Sequence, residues 1–368
     1  DPGQEITVCK NFAVPDGAFD IGRFEHAMTD VSHHLLVYPL SIPAADVTND
    51  LILNCDENPA NQMTRAGFMY GTQSPTGDLK LPAGIAYPTR GGLSIQLEYH
   101  VFNATDEAVD AEAALNLWRQ KGDITGEAGM IFLYHNQIAI PPMTRSTARQ
   151  RFSYSQDFKL LMLVPHMHSR GVAMQAFRDS GTGTPQTLFD VQGWENPTVM
   201  FDPPVTFNAG DVLDYHCDYD NQTSDYVFDG FSARHDEMCV TGGIYYRPGG
   251  DRLPLGDEIV WGRGVVYTGT NSCAQVDACS RAIDFSSWTT TPNPDQQFQV
   301  CLNSGCQAGG TAYHTLENCR WNNCRADCYV TAADDMPDGI TFDSTACQAC
   351  MDTHCAALRD ACPTATCP

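Results

Sequence analysis

Along the first two thirds of the chain, apolar and polar positions alternate with a period of two over short runs closed by Gly, Pro, Asn or Asp. That period predicts strands with one face turned inward. Residues 1–147 read as such strands, with one weak helical period from Val109 to Arg119, and the expected outcome is an antiparallel β-sandwich. In the run Ser94 to Val101, Ile95, Leu97, Tyr99 and Val101 form one face, while Ser94, Gln96, Glu98 and His100 form a polar face that a ligand can reach. Ile140-Pro141-Pro142 and the polar run Thr144 to Gln150 read as a linker. Residues 148–268 again carry regularly spaced strands, Phe152 to Met167, Thr198 to Phe207, Asp211 to Tyr219 and Met238 to Tyr246, predicting a second sandwich.

From 269 to 368 the pattern changes. Twelve of the 16 cysteines fall here, with few large aliphatics between them. Cys324 to Cys328 and Cys347 to Cys350 are helical i+4 and i+3 steps, so short helices stapled by disulfides are expected. The expected fold class is all-β, with two antiparallel sandwich domains followed by a small, disulfide-rich, helical C-terminal domain.

Composition narrows the class. A chain of 368 residues that is 42% hydrophobic has material for two or three cored domains. Its 45 acidic against 21 basic residues, a formal charge of −24, repel nucleic acid and anionic membranes. No apolar run approaches the roughly 18 residues a spanning helix needs. Sixteen cysteines point to an oxidising compartment, hence a secreted or periplasmic protein, and a start at Asp1 without Met fits a processed export product. The pairing of the twelve tail cysteines is open. A metal cluster is the alternative, but no paired CxxC frame is present. The tail's role as cap, spacer or docking module for a protein partner stays open. Two Asn-x-Thr triplets begin at Asn103 and Asn221 and matter only if the producing cell glycosylates.

The candidate chemistry lies in histidines. His166 and His168, in Leu163-Val-Pro-His-Met-His-Ser-Arg-Gly171, stand at i and i+2 and share one face at a strand end. Met238, in Arg234-His-Asp-Glu-Met-Cys239, offers a soft thioether to complete the set, and two imidazoles with a thioether select copper rather than zinc. His33 and His34 are adjacent, so in a regular strand they diverge, and joint coordination requires a bulge or strand end. His235 and His216 lie close to this second set in sequence, with surface or supporting roles expected. No His-Glu-x-x-His helix indicates zinc hydrolysis.

Taken in order, His33-His34, His100, His166-x-His168 and Asp236-Glu237-Met238-Cys239, with the strand Gly210 to Cys217 and the pair Tyr245-Tyr246, resemble the copper type II, ascorbate-dependent monooxygenases, which include peptidylglycine α-hydroxylating monooxygenase and dopamine β-hydroxylase. The resemblance covers roughly residues 5 to 268. It implies two jelly-roll-like sandwiches, each with one copper, facing each other across a solvent-filled cleft. His33, His34 and His100 are implied to hold the electron-supplying ion, and His166, His168 and Met238 the catalytic one. It further implies dioxygen and a small-molecule substrate, ascorbate or a similar reductant, and the disulfides Cys9–Cys55 and Cys217–Cys239.

The sequence departs from the peptide-amidating members. Where they anchor a substrate carboxylate through arginine, asparagine and tyrosine, the matching positions are Val164, Val240 and Gly242. Peptidylglycine is therefore not the expected substrate, and a smaller or less polar one is. Two functions follow as expectations: a copper monooxygenase hydroxylating a C–H bond, or an extracytoplasmic protein that stores, delivers or senses copper without turnover.

Overall fold

Val, Ile, Tyr, Phe and Thr dominate the alternating runs, and in the computed structural model these runs pair into sheets. The structure describes residues 1–14, 20–48, 52–55, 65–89, 93–285, 291–331 and 337–367. The chain is mostly strand, with a helical, disulfide-rich C-terminal region.

The chain divides into two units. The first comprises Asp1–Tyr134, Arg151–Asp218 and Phe231–Arg263. Within it a five-stranded antiparallel sheet runs in the order Ile52–Asn54, Glu5–Ala13, Leu93–Phe102, Ser32–Pro43, Tyr70–Thr72. A larger sheet of nine strands contains the path Val199–Phe207, Phe158–His166, Val240–Pro248, Gly126–Tyr134, so strands from before and after residue 147 share one sheet. Ile21, Phe24, Val37, Leu79, Leu161 and Ile244 pack in one core. Fully buried side chains such as Ile21 and Phe24 contribute roughly 1.5–3 kcal/mol each.

Two local expectations are corrected. Val109 to Arg119 forms no helix: Ala113–Arg119 is a strand whose burial alternates along Leu115 and Leu117 as it pairs with Asp20–Met28. Thr144 to Gln150 is no free linker, because Thr144–Ser153 is a strand. On the polar face of Leu93–Phe102, Ser94, Gln96, Glu98 and His100 are all buried, and Glu98 and His100 line a cavity that a ligand can reach. Both Asn-x-Thr triplets close turns: Asn103 donates to the carbonyls of Asp1 and Glu107, and Asn221 to those of Pro141 and Asp225.

The second unit comprises His135–Gln150, Tyr219–Gly230 and Gly264–Pro368. Its helices Cys273–Arg281 and Pro294–Asn303 each begin with a capping box, from Ser272 and Asn293. Cys319, Cys324 and Cys328 on helix Gln307–Cys328 bond Cys355, Cys350 and Cys347, three rungs between two antiparallel segments. The i+4 step Cys324–Cys328 and the i+3 step Cys347–Cys350 put two of the rungs on facing helix sides, while Cys319 and Cys355 each stand five residues from the middle rung, with a kink at Cys324 between Cys319 and Cys328. The other tail pairs are Cys273–Cys362, Cys279–Cys301 and Cys306–Cys367. With no cysteine left free, a thiolate metal cluster in the tail is ruled out.

Candidate metal centre

All six histidine and methionine candidates lie in the first unit. Strand Ser32–Pro43 pairs Ser32 with Val101 but His34 with His100, so His33 is the extra residue of a bulge. The bulge cancels the alternation that separates neighbouring side chains. The His33 ring lies 5.3 Å from His34 and 5.0 Å from His100, and His34 and His100 stand 4.8 Å apart as cross-strand partners. The Nδ1 atoms of His33 and His100 face each other at 3.2 Å.

Two of the three rings are held from behind. His100 directs Nε2 to Glu5 at 3.1 Å, and Glu5 also accepts from the backbone of Ala233 and the hydroxyl of Ser232. His34 Nε2 lies 3.6 Å from Glu98, which also takes the Arg65 guanidinium. Burial raises the Glu98 carboxyl, but His34 and Arg65 outweigh it and hold it at about 2. Glu5 is likewise raised by burial and brought to about 2 by His100 and its other donors.

The second set forms where strand Phe158–His166 ends. His166 donates from Nδ1 to Gln73 Oε1 at 2.7 Å, and His168 from Nδ1 to the Asp236 carbonyl at 3.3 Å. Each Nε2 is thereby left as the donor for a metal. His166 Nε2 approaches Met238 Sδ to 3.3 Å. Met238 is buried beside Tyr134 and Val240, and Cys239, the next residue, is bonded to Cys217.

Glu237 holds the two halves of this set in register. Fully buried, it accepts the backbone N–H of His168 at 3.0 Å and of Arg170 at 2.6 Å, tying the turn that carries His168 to the residue before Met238. Burial pushes its carboxyl up to about 7.

The two sets are not held apart by a cleft. The His33 ring lies 5.0 Å from His166 and 5.6 Å from His168, and His34 lies 5.4 Å from His166. Trp194 closes the far side of His33 at 5.5 Å. Burial, with the neighbouring rings adding to it, holds His33 and His166 well below their ordinary range and His168 at about 3. These three rings are therefore neutral donors. His33, His34 and His166 have nitrogens all within 4.8 Å of one another. His33 Nε2 and His34 Nδ1 are buried without a hydrogen-bond partner among the described residues. Buried, neutral, unpaired imidazole nitrogens beside a thioether fit copper.

Next to His166, His168 and Met238 opens a cavity of about 320 Å³. Val164, Val240 and Gly242 all line it. His235 is exposed, and the His216 ring packs 5.4 Å from Phe177. Cys9 and Cys55 are bonded. The roles of Glu5, Gln73, Glu98, Trp194 and Glu237 escaped the sequence reading. Only Glu98, on one strand face with His100, had a local signal.

Residues 126–255 match the family described as copper type II ascorbate-dependent monooxygenase, C-terminal domain. The matched segment contains His166, His168 and Met238, while His33, His34 and His100 precede it. A comparison with curated proteins gives no match. Among solved structures, the chain is similar to the major capsid protein P2 of bacteriophage PM2, at 8% identity and TM-score 0.27, over 67% of this chain and 93% of that one. It is similar to A223, a turret protein of Sulfolobus turreted icosahedral virus, at 11% identity and TM-score 0.17, over 66% and 95%. At these TM-scores neither likeness carries an argument.

Proposed function

We propose that this chain, whose residues 126–255 match the copper type II ascorbate-dependent monooxygenase C-terminal domain, hydroxylates a C–H bond of a small substrate with dioxygen and an external one-electron reductant such as ascorbate. In balance, the C–H bond, one dioxygen, two electrons and two protons give an alcohol and water. The observation that carries the reading is the meeting of His166 Nε2 with Met238 Sδ at 3.3 Å, with His168 beside them and both Nδ1 atoms already bonded elsewhere.

His166, His168 and Met238 would hold the copper at which the substrate is oxidised, and His33, His34 and His100 a second, electron-supplying copper. Bound copper supplies one-electron redox chemistry and dioxygen activation, the thioether favouring the cuprous state. The protein does the rest through position. Gln73 and the Asp236 carbonyl fix ring tautomers, Glu5 and Glu98 orient His100 and His34, and Glu237 sets the turn against Met238. Eight disulfides accord with a secreted or periplasmic location, where copper and oxygen meet outside the reducing cytosol.

The test is X-ray absorption on the fully copper-loaded, ascorbate-reduced protein. Cu–S scattering is expected, and Met238→Leu, which conserves volume, removes it while leaving the copper bound by the three-histidine set. An unchanged spectrum in the variant overturns the ligand assignment. Bound copper without oxygen uptake coupled to product shifts the reading to copper handling.

A further inference from the structure

The cavity beside Met238 is walled by rings. Phe68 stacks on Phe132 at 4.0 Å, Tyr38 meets Phe68 at 4.8 Å, and Trp261 lies 6.0 Å from Phe132 and 4.8 Å from Tyr134. Its floor is Leu36, Met130, Val164 and Val240. Two glycines keep that floor low: a Cβ on Gly71 would come within 2.9 Å of Leu36, and one on Gly242 within 2.9 Å of Met130. At the rim, Trp261 is 52% and Phe231 64% exposed, large apolar surfaces left facing solvent.

The charged groups in the wall are already committed. Arg65 bonds Glu98 and Gln96 and lies over Tyr38 at 3.7 Å. Glu98 is taken up by Arg65 and His34, and the Gln73 amide by the Pro165 carbonyl and His166. A carboxylate or ammonium entering here would lose its hydration and meet no free counter-charge. A flat hydrocarbon would instead exchange water for ring faces and edges.

We propose that this cavity takes a neutral aromatic hydrocarbon of about one ring with a short alkyl chain, its ring packed against the wall formed by Phe132 and Trp261 and its alkyl C–H toward His166, His168 and Met238. The ligand class stands on the lining alone; that the C–H is oxidised rests on the monooxygenase reading.

Three probes of similar size separate the possibilities on the metal-free full chain near neutral pH: propylbenzene, phenylacetate and phenethylammonium, followed by ligand-observed NMR. Propylbenzene is expected to bind at least about tenfold tighter than either ion, since neither ion finds a free counter-charge to offset its lost hydration. Trp261→Ala, at a half-exposed site that the fold tolerates, and Phe132→Ala should each weaken propylbenzene at least about fivefold. Trp118→Ala, at an exposed position outside the cavity, should not change it. Equal or tighter binding of an ion, no binding of propylbenzene, or an unchanged affinity in both cavity variants overturns the proposal. If propylbenzene binds but the copper-loaded protein with ascorbate and oxygen makes no benzylic alcohol, the ligand class stands and the monooxygenase reading falls.

Discussion

The ring of His33, on the five-stranded sheet, lies 5.0 Å from that of His166, at the end of a strand of the nine-stranded sheet. Donor sets in contact imply ions that sense each other. Loading with two Cu(II) per chain is expected to give an electron paramagnetic resonance signal that is broadened or falls well short of two spins. Two sharp, independent signals accounting for all the copper would refute the contact.

Glu237 links His168 and Arg170 to the residue beside Met238. Replacing it with Ala strands one buried and one partly buried backbone donor, the buried one costing about 1–3 kcal/mol. Glu237→Ala should therefore lower stability by a few kcal/mol and weaken copper at the Met238 set by about 10–100-fold, as loss of an orienting partner does. Glu237→Gln, which keeps an acceptor, should lose less of both. Metal titration with denaturant unfolding reads the two effects, and equal losses in the two variants would contradict the hydrogen-bonding role.

Acid should destabilise the metal-free protein. His135 is fully buried and held at about 4, and His168 at about 3, both by burial. Each folded value lies below the unfolded one near 6.5, so the unfolded chain binds more protons between them. The stability is fully present above about pH 6.5 and lost as pH falls toward 4 and 3. For His135 alone the loss is on the order of 3 kcal/mol. Melting temperature between pH 7 and 4 should fall steeply in the wild type and less steeply in His135→Leu. Bound copper should protect the cluster until protons displace it, since only neutral imidazole ligates.

The rungs of the tail give a separate handle. Cys324 and Cys350 form the middle rung, so with Cys319–Cys355 and Cys328–Cys347 intact its removal by paired Ser substitution frees only a short loop and should cost about 2–3 kcal/mol in the chain-entropy account. Calorimetry should show the loss in the second unit, with copper stoichiometry unchanged. A fall in bound copper would show that the first unit does not hold its ligands by itself.

The sequence exposed those features whose cause is local. His166 and His168 share a face because alternation is a property of the backbone over three residues, and the cysteine steps of the tail declared helices because i+3 and i+4 lie on one side of a turn. The ordering of the histidines and Met238 pointed to the copper family, and residues 126–255 match it. The Val109 to Arg119 run misled because its alternation is weak, and pairing with Asp20–Met28 decided it.

Nothing local could show that His33 joins His34, because their convergence comes from a bulge set by the register against Leu93–Phe102. Nor could it show that Glu5 and Gln73 orient rings 95 and 93 residues away, or that Glu237 holds the backbone of His168 from 69 residues away. The chain's own order determined which donors this protein owns. Which nitrogen of each ring is left for a metal, and how near the two sets stand, was decided only when distant strands paired, because hydrogen-bond partners and burial are properties of the assembled sheets.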